Sequence, residues 1–322
     1  MRSVVLGAGG FIGGHLATEL ERRGDDVVSI DVKPLEEWHQ QAGTRLIEGC
    51  DVGDPDEQFH LARNLEGADR VFLLAADMGG MGFIETNKLA CMLTTRTSTA
   101  ALVAAEKVGV PSLFFASSAC VYPSYRQDVA DIPGLKEADA YPADPEDGYG
   151  WEKLFTERLC RHFTDETDLE CRVARYHNVY GPLGTYEGGR EKAPAAICRK
   201  VAEAVLSGNH TIEIWGDGEQ TRSFMYVDDC VEGTIRIQES NVAEPLNLGS
   251  DRMVTINELV SIVEAIAGVE LERRYIDGPL GVRGRNSDND LIFSRLGWEP
   301  SIALENGLEQ TYRWVYDQMK GC

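Results

Sequence analysis

Ser118, Cys120, Tyr149 and Lys153 are the residues of this chain best fitted to do chemistry. Tyr149 and Lys153 stand four apart, and residues at that spacing share one face of a helix. An ammonium beside a phenol favours phenolate, because the opposite charge lowers the pKa. A serine hydroxyl can hold the same substrate oxygen. Together the three can take a proton from an alcohol while a hydride leaves its carbon. The thiol of Cys120 is the unusual member, since a plain dehydrogenase has no use for a second base there. An unperturbed thiol has a pKa of about 8.5, so acting as a base at neutral pH requires a nearby positive charge or dipole. The plainer reading of Cys120 is a small buried filler after a strand.

A second chemical signal lies at the start of the chain. Gly7, Gly10 and Gly13 have the spacing G-x-x-G-x-x-G between an apolar run and a helical pattern. Glycines there allow a tight turn and let a pyrophosphate approach the helix N-terminus, where free N–H groups and the helix dipole favour an anion. Asp31 lies about 20 residues on, at the end of the second apolar run, where a carboxylate bonds the adenosine ribose and repels a 2′-phosphate. NAD is therefore expected over NADP, with Lys33 the residue that argues the other way. Asp51 is read as an adenine contact or as a helix cap.

The elements that must position these groups alternate. Val4–Leu6, Val27–Ile30, Val71–Ala75 and Leu113–Ala116 read as buried strands. Helices are expected over Phe11–Arg23, Ile84–Lys107 and Tyr149–Phe163. This order implies an α/β fold, a Rossmann-type doubly wound parallel sheet with right-handed crossovers. After Cys171 the pattern loosens. Tyr176–Arg190 reads as loop, Ala193–Leu206 as helix, Ile212–Trp215 as strand, Val227–Ile235 and Ile256–Ala267 as helices, and Gly278–Asn289 as a loop. The expected organisation is a cofactor-binding domain over 1–175, with returning segments near 224–250, and a smaller C-terminal substrate-binding domain over 176–322, interleaved with it. The site should lie at the carboxyl ends of the strands, between the two.

The chain has 322 residues and a formal net charge of −22, which argues against nucleic-acid binding. An anionic substrate would need a locally basic pocket. Eight cysteines are scattered, without Cys-x-x-Cys spacing or a histidine at ligand distance, so neither a disulfide framework nor a metal site is expected. No apolar run is long enough to span a bilayer. Met1 runs into the first strand within a few residues, so no signal peptide is expected. The cytoplasm is the expected compartment.

The glycine turn, Asp31, the Ser118 region and the Tyr149/Lys153 pair together resemble the extended short-chain dehydrogenase/reductase family. Further segments resemble its GDP-mannose 3,5-epimerase branch: Ala75–Ile84, Ser117–Pro123, Gly188–Ala196, Trp215–Phe224 and Gly281–Asn289. Trp151 departs from that pattern, where a smaller apolar residue is usual. The resemblance implies cofactor contacts from Gly7, Gly10, Phe11, Ile12, Gly13, Asp31, Asp51, Ala75, Tyr149 and Lys153. It implies that Tyr149 and Lys153 serve oxidation at C4 of a GDP-sugar, with Ser118 holding the oxygen, and that Cys120 and Lys192 are the epimerising pair. Gly79, Ser118, Asn178, Glu191, Lys200, Gln220, Arg222 and Arg285 become the expected substrate contacts. The chemistry has an independent logic. A C4 ketone acidifies the protons at C3 and C5, and a thiolate and an ammonium can supply the base and acid that exchange them. The implied product of GDP-D-mannose is GDP-L-galactose, with GDP-L-gulose as a second product. The two long helices resemble those with which relatives form a homodimer. Two other readings stay open: a 4-keto-sugar reductase or 4-dehydrogenase in which Cys120 is idle, and a non-catalytic NAD-sensing protein. Lys192 as a solvated charge, Glu191 as its pairing partner, and Arg222 and Arg285 as interdomain ion pairs are the plainer readings of those residues.

Overall fold

The computed structural model describes residues 1–321. Seven parallel strands form the main sheet, in the spatial order Leu246–Leu248, Glu170–Tyr176, Ser112–Ser118, Arg70–Leu73, Arg2–Leu6, Asp26–Ile30, Arg45–Ile47. Both faces are covered, which is why its strands read as continuous apolar runs. Val5, Phe72 and Phe114 point to one side, into a core shared with Leu16, Leu20 and Ile235. Val4, Leu6, Val71, Leu113 and Phe115 point to the other, against Leu61, Leu102 and Cys160. Helices Phe11–Arg22 and Val227–Glu239 cover the first face, and Gln58–Leu65, Lys88–Lys107 and Tyr149–Glu166 the second.

Beyond Tyr176 a second lobe packs helices Ala193–Ser207, Ile256–Ala267 and Leu304–Lys320 together. Two small sheets complete it. One pairs Thr211–Trp215 with Glu272–Ile276, and the other sets Thr221–Ser223 between Met253–Thr255 and Gly284–Arg285. Chain from the second half returns to the first. Leu246–Leu248 pairs with the end of Glu170–Tyr176 at the sheet edge.

Three elements differ from the sequence expectation. The helix expected over Ile84–Lys107 is two helices, Met81–Thr86 and Lys88–Lys107. Asn87 leaves helical geometry between them, and its side chain bonds the Phe83 carbonyl at 2.9 Å. The loop expected over Tyr176–Arg190 contains the two-residue strand Val179–Tyr180, paired with Met225–Tyr226. The loop expected over Gly278–Asn289 contains the strand Gly284–Arg285. Cys50, Cys91, Cys120, Cys160, Cys171, Cys198 and Cys230 are free thiols and buried. Cys322 lies outside the described residues. Among the described residues no helix is long and apolar enough to cross a membrane.

Candidate active site

The glycine turn sits where the first strand meets its helix. Gly7 has φ +96°, a left-handed conformation that glycine adopts freely. A Cβ on Gly13 would fall 2.0 Å from the Gly7 carbonyl oxygen, so the turn closes only without a side chain there. Gly10 opens the helix Phe11–Arg22 with no side chain capping its first N–H groups. Phe11 and Ile12 form its first turn, and the Ala75 backbone passes close to Gly7. Asp31 stands at the end of the second strand, its Oδ2 accepting from the Gly9 N–H at 2.9 Å. A turn with uncapped donors, cleared of side chains and faced by a carboxylate, fits a dinucleotide's pyrophosphate and ribose. Asp51 instead accepts from the Gly53 N–H at 2.9 Å and closes its own turn.

The chemical groups converge at the end of the strand Ser112–Ser118. Ser118 Oγ accepts from the Cys120 N–H at 3.2 Å, and the chain bends into a short 3₁₀ turn over Ala119–Val121. The helix Tyr149–Glu166 begins against that turn. A Cβ on Gly150 would fall 2.2 Å from the Cys120 carbonyl oxygen, and the same oxygen accepts from the Glu146 N–H at 2.9 Å. Glycine at position 150 therefore lets Tyr149 lie beside Cys120. One turn on, Lys153 Nζ is 5.4 Å from the Tyr149 ring centre and 4.7 Å from that of Phe115. It also pairs with the Glu152 carboxylate at 3.4 Å, both side chains being buried. Glu152 is held by Ser98 and Thr156 hydroxyls at 3.0 and 3.1 Å.

The electrostatics differ from the sequence expectation at Tyr149. Burial, then Cys120 and Glu152, holds the Tyr149 phenol well above its ordinary pKa, with the Ser118 hydroxyl acting in the opposite direction. Burial and the Glu146 carboxylate push the Cys120 thiol up to about 11, against the pull of Arg285. The nearby positive charge that the sequence reading required is present in Arg285, but burial and Glu146 outweigh it. Burial lowers the pKa of Lys192, while Cys120 and Cys230 raise it. The Lys192 side chain makes no hydrogen bond or ion pair among the described residues, while its carbonyl accepts from the Ala196 N–H at 3.0 Å. It is placed by its backbone, as the residue that opens the helix Ala193–Ser207.

Two arginines complete the cluster. Arg285 and Arg222 are register partners on adjacent parallel strands. Arg285 donates to Gln127 Oε1 at 2.6 Å and to Cys120 Sγ at 3.4 Å, and pairs with Glu146 Oε2 at 3.4 Å. Arg222 is dressed by the carbonyls of Thr221, Leu280, Val282 and Arg283, and meets no carboxylate among the described residues. Burial and the neighbouring Arg285 bring its pKa down to about 9, the mark of a cation short of an anion. Beside it Gln220 donates to the Trp215 carbonyl at 3.3 Å, while its Oε1 is buried without a partner among the described residues. A groove of about 470 Å³ reaches this cluster, lined by Gln127, Glu146, Met81 and Val282 among others.

Ser118, Cys120, Tyr149, Lys153, Lys192, Arg222 and Arg285 are thus brought into one neighbourhood. Glu191 and Lys200 share another. Glu191 accepts from the Gly189 N–H at 2.7 Å and faces Arg199 at 3.7 Å, rather than pairing with Lys192. Lys200 donates to the Glu213 carbonyl at 2.7 Å and stands 5.8 Å from the Trp215 ring centre. Asn178, in the left-handed region at φ +39°, donates to the Ser223 carbonyl at 3.0 Å. Gly79 packs against Phe83 and Arg190, where a Cβ would lie 2.8 and 3.2 Å from their atoms. His177 is buried, contacts Asn247 Oδ1 at 3.0 Å, and has its pKa pushed down to about 3 by burial, so it is a neutral structural group. Glu146 and Gln127 escaped the sequence reading. Both lie in loops outside any motif, and only the fold carries them to Cys120 and Arg285.

Comparisons with known proteins show the family and the fold. The model of the NAD dependent epimerase/dehydratase family matches residues 3–249. A GDP-mannose 3,5-epimerase 1 of Oryza sativa subsp. japonica is 46% identical over 321 residues, which cover 99% of this chain and 83% of that one. The GDP-mannose 3,5-epimerase of Arabidopsis thaliana is 44% identical over 326 residues, covering 98% and 82%. Among solved structures, UDP-glucose 4-epimerase of Thermotoga maritima with UDP-glucose superposes with a TM-score of 0.86 at 28% identity, covering 99% of this chain and 100% of that one.

Proposed function

This chain belongs to the NAD dependent epimerase/dehydratase family, and from that premise we propose that it converts GDP-D-mannose to GDP-L-galactose, with GDP-L-gulose as a second product. The turn at Gly7, Gly10 and Gly13, faced by Asp31, would hold NAD, which would supply reversible hydride transfer at C4 of the sugar. The remaining steps fall to the protein. Tyr149 takes the proton of the C4 hydroxyl, which Ser118 holds, and must do so as phenolate, the form that Lys153 beside the ring favours against burial. The resulting C4 ketone acidifies C3 and C5. Cys120 and Lys192 then remove and return protons at those carbons, one of the pair acting in its deprotonated form as base and the other in its protonated form as acid. Arg222 and Arg285 supply the positive charge that a diphosphate requires, and Gln220 has an acceptor atom free for a sugar hydroxyl. The observation that carries the reading is the meeting of Cys120 and Lys192 with Tyr149 and Ser118. A dehydrogenase needs the second pair but not the first.

The apolar residues left exposed on the two long helices support a homodimer. Leu89, Met92 and Leu93 stand on one and Trp151 and Phe155 on the other. The cytoplasm, where reduced thiols, NAD and nucleotide sugars occur together, is the compartment we propose. The test is the proton spectrum of GDP-mannose incubated with enzyme in heavy water. Deuterium is expected at C3 and C5 of the recovered sugars and never at C4. Deuterium at neither carbon, with net NADH formation, would make the protein a dehydrogenase.

A further inference from the structure

Lys192 has to be held in place, yet its ammonium has no partner of its own. The segment that carries it begins at Gly188 and Gly189, both left-handed at φ +85° and +86°, with nothing near their Cβ positions. Two consecutive glycines in open space give the backbone little direction. Direction comes from the next residue. Arg190 donates from Nη1 to Asp77 Oδ1 at 2.8 Å and to the Met78 carbonyl at 3.3 Å. Its guanidinium carbon lies 3.8 Å from the centre of the Phe83 ring, within the range of an attractive cation–π contact. Its carbonyl accepts from the Gly80 N–H at 3.0 Å. A Cβ on Gly80 would fall 2.4 Å from the Glu191 carbonyl oxygen, so the two strips of backbone are in direct contact. Two residues later the helix Ala193–Ser207 starts, with Lys192 as its N-cap.

We propose that Arg190 is the positioning residue for Lys192, clamping the 188–192 strip onto the 77–83 strip so that the amine reaches the sugar carbons. The claim rests on the epimerase reading above. The Arg190 and Asp77 side chains are 48% and 42% exposed, so their charge attraction alone is weak. The clamp works by combining the ion pair with the ring contact and the backbone bond. It touches the proton-exchange half of the reaction and not the oxidation half, because Ser118, Tyr149 and Lys153 sit on other elements.

The experiment compares wild type, Arg190→Ala, Asp77→Asn and Arg190→Lys with GDP-mannose in heavy water, following NADH absorbance and deuterium entry at C3 and C5 in the same samples. Arg190→Ala should keep its NADH signal and lose about 10²-fold in deuterium entry, the scale of a misplaced reacting group. Asp77→Asn should lose part of the same signal, and the double variant no more than Arg190→Ala. Arg190→Lys should recover part of the loss, since an ammonium can reach Asp77 but cannot lie flat on Phe83. Unchanged deuterium entry in Arg190→Ala, or an equal fall in NADH and deuterium, would overturn the proposal. A wild type that shows neither transient NADH nor deuterium entry at C3 and C5 would overturn the epimerase reading and this inference with it.

Discussion

Cys120 illustrates how far a residue's type is from its state. Its thiol touches an arginine, yet burial and Glu146 push its pKa up to about 11. The groups around it come from five segments: Ser118 before it, Glu146 and Tyr149 from the loop and helix that follow, Lys192, Arg222, and Arg285. Arg285 is shared with Glu146, so its charge is partly balanced before any thiolate forms. Glu146→Gln removes the negative neighbour and keeps its shape. Without that repulsion the thiolate should form at lower pH, by on the order of one unit. The titration is read as thiolate ultraviolet absorbance, with Cys120→Ser as the blank. A midpoint that does not move would leave burial as the sole cause. The residues themselves were legible from spacing and resemblance. The protonation state was not, because the two groups that set it are remote in sequence and lie in no motif.

Elements were legible in proportion to their length and periodicity. The helices Phe11–Arg22, Ala193–Ser207 and Ile256–Ala267 lie within one residue of their expected ends. Short strands such as Leu246–Leu248 and Met253–Thr255 were not foreseen, since three residues carry no period and pairing partners decide them. The helix Leu304–Lys320 was also missed, although buried Leu304, Leu308, Tyr312 and Val315 recur at helical spacing. The break at Asn87 depends on a side chain bonding its own backbone, which apolar periodicity does not register. The glycine turn is where local rules were strictest. Gly13→Ala puts a methyl group 2.0 Å from the Gly7 oxygen, so the turn must open. Overpacking of this kind costs about 1–3 kcal/mol. The variant is expected to melt earlier and to purify with little bound NAD, as measured by thermal unfolding and by assay of the nucleotide released on denaturation. Normal NAD content would show that the turn's closure does not matter for binding.

At the scale of the molecule, the helices Lys88–Lys107 and Tyr149–Glu166 pack side by side and leave Leu89, Leu93 and Phe155 exposed at 73%, 49% and 50%. These exposed apolar side chains on neighbouring helices are the basis of the proposed homodimer. Replacing Leu93 and Phe155 together with Glu should yield a folded monomer in sedimentation, where the parent is expected to sediment as the dimer proposed above. A parent that sediments as a monomer would dismiss the assembly. The other large-scale feature is the route of the chain. The edge strand Leu246–Leu248 and the helix Val227–Glu239 belong to the cofactor-side layers, yet they follow the helix Ala193–Ser207 of the second lobe. A gene for this fold therefore cannot exchange its substrate lobe with a relative's at one crossover. A single junction near residue 177 would replace the sheet's last strand and one of the two helices on its first face along with the lobe. Recombination must occur in at least three places, around 177, 224 and 249. New specificity on this scaffold is thus more accessible to point substitution inside the lobe than to shuffling of whole parts.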